Sequence, residues 1–508
     1  MRDLVGICHN RPSEAQRFRF GGLQAALQTS PSLAWSCSQC AILMAGLRPA
    51  LSLPVGGHLC VGVLLNERAV RPVLVFVFVS VSVFVIFCNF VVLSFYSLMN
   101  YRISAPERLE GAIALPASKS ISNRVLLLHA LSGGKGSLHH LAKCDDTDAV
   151  LRALAHDDAQ VVDIGAAGTA MRFLTAYFAT REGRCVTLTG TERMRQRPIK
   201  VLVEALRCLG ADITYVGEEG FPPLLIKGKR LHGGDVSISG SVSSQYITAL
   251  LLIAPVVGGM RLKIEGEIMS RPYIDMTLAL MRRYGIEASW QGAMVEVPAG
   301  EYTAVDFTVE ADWSAASYWW AMQALLPASG ISLLGLHQHS LQGDSRMAEI
   351  MAQMGVTGIW HDERVHLQSN GGAGCCCTTF ADLSGTPDIA QTLVVMLCLL
   401  GRAFRLTGLR TLRIKETDRL EALRTELLKL GFVVKVEGDD ALSWHYQTVA
   451  PAPDIHISTY HDHRMAMAFA PAAIRFPGIV IDDAQVVSKS YPDFWQHLRE
   501  AGFSIEEV

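Results

Sequence analysis

Lys119, Ser120, Ser122 and Arg124 fall within six residues of the stretch LPASKSISNR. Two cations and two hydroxyls packed so closely grip an anion, since guanidinium and ammonium groups supply charge and hydroxyls supply donors. Other segments could join them. IGAAGTAMRFL sets small residues at 165 to 168, then Thr169 and Arg172, before an apolar run. Such a turn either lets backbone N–H groups meet an anion or serves close packing alone. TERMRQRPIKVL carries Arg193, Arg195 and Arg197 ahead of a proline that can open a helix, and reads equally as a solvated basic loop. In GSVSSQYITALLL, Ser243, Ser244 and Gln245 can cap a helix or hold a ligand's phosphate and hydroxyls.

The second half offers carboxylates. Asp388 in TPDIAQTL stands at a predicted helix start, where capping is the plain alternative. RIKETDRLEAL packs Lys415, Glu416, Asp418 and Arg419 ahead of an amphipathic helix, and Glu416 with Arg419 at i and i+3 is also an ordinary ion pair. YHDHRMAMAFA places His461, Asp462, His463 and Arg464 before another apolar helix. The His-x-His pair lacks a third metal ligand, and Arg464 beside it would repel a cation. VVSKSYPDFW ends the series with Lys489. Cys37-x-x-Cys40 has no second pair to complete a zinc site, and Cys375, Cys376 and Cys377 fit no disulfide framework, so the reading is no metal, no cofactor and a reducing, cytoplasmic compartment.

These groups need a frame. At 508 residues the chain exceeds what one core organises, which predicts two or more domains. A net charge of −3 argues against nucleic acid, whereas a small anionic ligand needs only a local cluster. Apolar helical patterns end at Gly210, Gly285, Gly355, Gly431 and Gly502, each followed by an alternating strand, at intervals of 75, 70, 76 and 71 residues. A glycine-less version, VLRALAHDDAQVVDI, brings the count to six. The regular spacing predicts a repeated α/β unit of about 70 residues.

Residues 1–98 differ in texture. They hold no lysine and three acids, and Val73 to Leu98 is a run of 26 uncharged residues rich in Val, Phe and Ser. That length would span a bilayer, but the bias is that of low-complexity sequence. Three readings are a membrane anchor, a disordered extension, and upstream sequence read through from a misplaced start, with Met99 as the first residue of the functional chain. The last is preferred here.

The succession LPASKSISNR, GAAGTAMR, RMRQRP, GSVSSQ, SRPYID, TPD, KETDR, DHRM and SKSYPDF, from Tyr101 onward, closely resembles the 5-enolpyruvylshikimate-3-phosphate synthases. The resemblance implies a two-domain inside-out α/β barrel of six βαβαββ repeats, with one domain at 118–309 and a discontinuous one at 99–117 plus 310–508. It implies transfer of the enolpyruvyl group of phosphoenolpyruvate to the 5-hydroxyl of shikimate 3-phosphate, with release of phosphate, by a monomer using small-molecule substrates and no nucleic acid or membrane. By motif, Lys119, Ser120, Arg124, Ser243, Ser244, Gln245, Ser270, Tyr273, Asp388 and Lys415 match the shikimate-phosphate set. Lys119, Gly168, Arg197, Gln245, Arg419, Arg464 and Lys489 match the phosphoenolpyruvate set, and Asp388, Glu416, Lys119 and His463 the proton-handling one. Ala166, Phe173 and Thr411 depart from the family's usual Asn, Pro and Asn. Two other readings are a transferase acting on UDP-N-acetylglucosamine, whose reactive Cys would have to be Cys185, and a tethered anion-binding protein without catalysis.

Overall fold

The computed structural model describes 99–508 except residues 157, 242 and 371–377, and, before residue 99, the backbone of Leu59–Leu64, Val73–Val79 and Leu93–Phe95. The chain divides into two units, Met1–Ser97 and Leu98–Val508. In the first, the three described strands form one antiparallel sheet in chain order. The stretch Val73 to Leu98, read as an anchor in one alternative, is thus described only in part, and there as strand. No helix among the described residues is long and apolar enough to cross a membrane. Cys37, Cys40 and Cys375 to Cys377 lie outside the described residues.

Within Leu98–Val508 the buried apolar side chains gather into two cores. One runs from Ala117 to Val309, the other joins Ile103–Leu115 to 311–503. We call these the first and second lobes. The second is discontinuous because the early strand Glu110–Ala114 pairs in parallel with Gly330–Leu334, beyond the whole first lobe. Tyr101–Ser104 likewise pairs with Ile479–Ile481 and Ser504–Glu507 near the far end of the chain. The two strands that cross between lobes lie together, with Ser118 N–H donating to Glu310 O and Asp312 N–H to Pro116 O, each at 2.8 Å.

Five four-stranded sheets share one design. Val161–Asp163 runs parallel to Cys185–Thr189, which is antiparallel to Leu224–Lys227, with Asp212–Tyr215 at the far edge. The helices Gly168–Ala179 and Lys200–Cys208 fill the two crossovers. The same order recurs in sheets beginning at Gly234, Glu110, Thr379 and His456. The sixth repeat is shortened: only the parallel pair Phe307–Thr308 with Leu138–His139 forms among the described residues.

All five expected junction glycines, Gly210, Gly285, Gly355, Gly431 and Gly502, have φ between 81° and 101°. A side chain is strained there, so glycine ends each helix and turns the chain into the strand. Pro198 does not open a helix. The next one starts at Lys200, and Arg193 and Arg195 lie in a short helix, Glu192–Arg195, and not in a basic loop.

The inner helices Gly168–Ala179, Ser244–Ile253, Trp313–Leu325, Ala390–Leu399 and His463–Phe469 are buried nearly all round, as their apolar composition requires. Residues at or beside their starts line the cleft. Ser118 caps Lys119–Leu131, Ser243 caps Ser244–Ile253, Asp312 caps Trp313–Leu325, Asp418 caps Arg419–Lys429 and Asp462 caps His463–Phe469. Helix starts carry partial positive charge and unpaired N–H groups.

Candidate active site

One cavity between the lobes is lined, from the first, by Lys119, Ser120, Arg124, Gly168, Arg197, Ser243, Ser244, Gln245, Ser270 and Tyr273, and from the second by Asp388, Lys415, Glu416, Arg419, His463 and Arg464. Segments more than 300 residues apart in sequence therefore converge. Lys489 does not line it directly. It stands behind Glu416 and lines an adjoining cavity with Arg197 and Glu416.

The second-lobe floor is an alternating array of charge. Arg419, 1% exposed, donates from Nε to Asp462 at 2.6 Å, from Nη1 to Asp388 at 3.3 Å and from Nη2 to Glu416 at 3.1 Å. The i, i+3 pair with Glu416 is real, but it is one arm of a buried fork. Asp388 also meets Arg464 at 3.1 Å and Lys415 at 3.6 Å, and accepts from the Tyr273 hydroxyl of the other lobe at 3.0 Å. Its carboxylate caps no helix; it sits in the 3-10 turn Pro387–Ile389. Burial would push both carboxyls up. For Asp388, Arg464, Lys415 and Arg419 overcome that and hold it well below the usual range. For Glu416, Lys489, Arg419 and Arg197 do the same.

His463 is 1% exposed, neither ring nitrogen makes a hydrogen bond, and Nδ1 stands 3.6 Å from the Asp462 carboxylate. Burial, with Lys119 and Arg464 nearby, drives its pKa well down, so the ring is neutral. Among the described residues no group of three or more His, Cys, Asp or Glu is placed to hold a metal ion.

On the first-lobe wall, Arg124 is held by Ser120 O at 2.7 Å, Thr277 Oγ1 at 2.9 Å and Tyr273 O at 3.2 Å, between the rings of Phe173 and Tyr273. Burial lowers its pKa to about 10, which leaves it charged at neutral pH. Gln245 donates to Thr169 at 3.1 Å. The Gly168 Cα lies so close to Arg197 that an added Cβ would stand 2.8 Å from the guanidinium. Ser270 adopts φ 57° ahead of the helix Arg271–Arg283.

The three departing positions each have a place. Phe173 stacks on Arg124, Ala166 offers its carbonyl to Lys489 at 3.1 Å, and Thr411 lines the cavity with a buried, unpartnered hydroxyl. Cys185 is exposed at the start of a strand and is not among the cavity's lining residues.

Three acids and a serine escaped the sequence reading as site groups, and a fourth acid, Asp462, is named there without a role. Asp146 pairs with Lys119 at 3.1 Å. Asp312 accepts from the Lys119 N–H at 3.1 Å. Ser314 donates to Asp344 and accepts from Arg464 at 3.3 Å, and Asp462 anchors Arg419. The signal available was each acid's position in or just before a first helical turn, which capping and the helix dipole already explain.

Fold and site together define a two-lobed α/β protein with a cation-rich cavity between its lobes. The family model for EPSP synthase (3-phosphoshikimate 1-carboxyvinyltransferase) matches residues 103–156 and 154–498. The 3-phosphoshikimate 1-carboxyvinyltransferase of Bacteroides fragilis (strain YCH46) is 53% identical over 410 residues, covering 80% of this chain and 99% of that protein. Its counterpart from Shewanella piezotolerans is 38% identical over 426 residues, covering 78% and 97%. A solved EPSP synthase from Acinetobacter baumannii superposes with a TM-score of 0.63 at 20% identity, over 81% of this chain and all of that one. The chain belongs to the EPSP synthase family.

Proposed function

We propose that the chain transfers the enolpyruvyl group of phosphoenolpyruvate to the 5-hydroxyl of shikimate 3-phosphate and releases phosphate. The observation that carries this reading is the pair of half-buried, ionised carboxylates, Asp388 and Glu416, held on two arms of one guanidinium at 3.3 and 3.1 Å. The reaction needs a proton placed on the methylene carbon of phosphoenolpyruvate and another taken from the attacking hydroxyl. The hydroxyl oxygen bonds to C2, giving a tetrahedral ketal. A proton then leaves the new methyl group as the C2–O bond to phosphate breaks. Paired acids serve such exchanges, and fixed cations stabilise the charge that develops.

Lys119, Ser120, Arg124, Ser243, Ser244, Gln245, Ser270, Tyr273, Asp388 and Lys415 hold shikimate 3-phosphate. The Thr411 hydroxyl supplies a contact there. Lys119, Gly168, Arg197, Gln245, Arg419, Arg464 and Lys489 hold phosphoenolpyruvate. Asp388 and Glu416 move protons, with Lys119 and neutral His463 beside them. Residues 118–309 and 99–117 with 310–508 act as the two closing domains, residues 1–98 are dispensable, and the enzyme works as a cytoplasmic monomer. UDP-N-acetylglucosamine is disfavoured as acceptor, because Cys185 lies away from the cavity lining. Phosphate release from phosphoenolpyruvate should require shikimate 3-phosphate, and UDP-N-acetylglucosamine should not replace it. No release with shikimate 3-phosphate would leave a non-catalytic binder.

A further inference from the structure

The helix Asp145–Ala155 begins with two consecutive carboxylates that point to different places. Its N-cap residue, Cys144, makes no side-chain capping bond, so the usual local device for fixing a first turn is missing. Two bonds to groups outside the helix stand in its place. Asp145, exposed, accepts from the Ser488 hydroxyl at 2.6 Å, and Ser488 belongs to the second lobe. Asp146, 4% exposed, faces inward and meets Lys119 Nζ at 3.1 Å, while its second oxygen is buried without a partner. Successive side chains on a helix are turned about 100° apart, so a single first turn can face the lobe boundary with one residue and the cavity with the next.

Ser488 is also the neighbour of Lys489, which bridges Glu416 at 2.7 Å and the first-lobe carbonyl of Ala166 at 3.1 Å. The 3-10 segment Ala484–Lys489 therefore touches the first lobe through two consecutive side chains, both at the edge where the lobes meet. Separating the lobes breaks both contacts together.

We propose that Asp145 and Asp146 are positioning residues that tie the aim of Lys119 to the meeting of the two lobes. With Ser488 on Asp145 the helix start is fixed, and Asp146 holds the ammonium at one place on the cavity wall. With the lobes apart, the first turn is released, and the Asp146 carboxylate, having one free oxygen, can turn and carry Lys119 with it. The closed enzyme alone then presents Lys119 correctly to two anionic substrates. The contact needs only a donor at 488 and an acceptor at 145, which makes it separable from bulk and from folding.

The inference rests on the reading of Lys119 as a substrate-contacting cation, and Lys119→Met tests that reading by itself. If Lys119→Met turns over normally, the reading fails whatever the latch does. For the latch, kcat, KM for phosphoenolpyruvate and the Kd of shikimate 3-phosphate are measured on the full chain. Ser488→Ala and Asp145→Ala should each raise KM for phosphoenolpyruvate and the Kd of shikimate 3-phosphate, since Lys119 is assigned to both, roughly two- to tenfold, the reach of one net hydrogen bond. Ser488→Thr keeps the donor and Asp145→Asn keeps an acceptor, so both should stay near the parent. Ser488→Ala combined with Asp146→Asn should cost less than the sum of the two, since both act on Lys119. Unchanged KM in the Ala variants, Thr and Asn variants as poor as Ala, or strict additivity of the double variant would each overturn the proposal. Should Asp145→Ala fail to fold, Ser488→Ala reads the same bond from the opposite lobe.

Discussion

Lys489 Nζ lies 2.7 Å from Glu416 Oε1, while the Arg419 guanidinium holds the other oxygen, Oε2, at 3.1 Å. Glu416 is thus charged and clamped at both oxygens before any substrate arrives. Each clamp is also a group assigned to phosphoenolpyruvate. An arriving trianion competes for the same cations and relaxes the bias toward the ionised form, so Glu416 can accept and return a proton when the chemistry calls for it.

Glu416→Gln keeps shape and hydrogen bonding but cannot exchange a proton. Turnover should fall by about 10²-fold or more, the usual scale of general acid–base catalysis. Calorimetry on the same preparation should show shikimate 3-phosphate binding unchanged. A variant with normal turnover would make Glu416 a structural partner of Arg419 and nothing more.

Gly168→Ala places a methyl group where Arg197 now lies, 2.8 Å from Nη1. Arg197 is only 8% exposed, and its displacement should raise KM for phosphoenolpyruvate by about tenfold or more, with shikimate 3-phosphate affinity unchanged. Steady-state kinetics with each substrate varied in turn decide the point. An equal loss for both substrates would mean a general disturbance of the first lobe.

Arg419→Met removes the shared partner of Asp388, Glu416 and Asp462. Asp462 is fully buried, so an uncompensated charge remains. Denaturant unfolding should show a loss of ~3–5 kcal/mol, and less than about 1 kcal/mol would contradict the buried-fork account.

Asp344 titrates in the opposite sense to its neighbours. Burial, with Asp388 nearby, raises its pKa from the ordinary 3.8 to about 7, against Arg464 and the Ser314 hydroxyl. A carboxyl whose folded pKa is raised takes up a proton on folding, so its contribution to stability falls as pH rises between these values and is level above them. Asp344→Asn stays neutral. Its unfolding free energy relative to the parent should climb between pH 4 and pH 7, on the order of 4 kcal/mol in all, and then stay flat. A difference independent of pH would show that Asp344 is ionised throughout.

A chain starting at Met99 should melt and turn over like the full chain. The motivation is that the family match begins at residue 103 and that Leu98–Val508 is a unit of its own. Loss of most activity on truncation would give residues 1–98 a role in the enzyme.

The sequence by itself determined the repeating α/β unit, because a helix that ends at a left-handed glycine before a strand is a local event written in neighbouring residues. It also marked residues that gather: those matched by motif to a substrate or to proton handling line the cavity between the lobes, with Lys489 behind Glu416, whereas Ser122, Arg193, Arg195 and His461 do not line it. The lining residues stand at helix starts, which capping and charge mark in the chain. Only the tertiary structure decided who pairs with whom. Arg419 could be read as a partner of Glu416 three residues away, yet its shortest bond goes to Asp462, 43 residues on. Lys119 takes Asp146, and Ser314 joins Asp344 to Arg464, through contacts that no periodicity records. Periodicity reports which face of an element is buried. The partner met there depends on how separate elements pack, and in this protein they come from opposite ends of the chain.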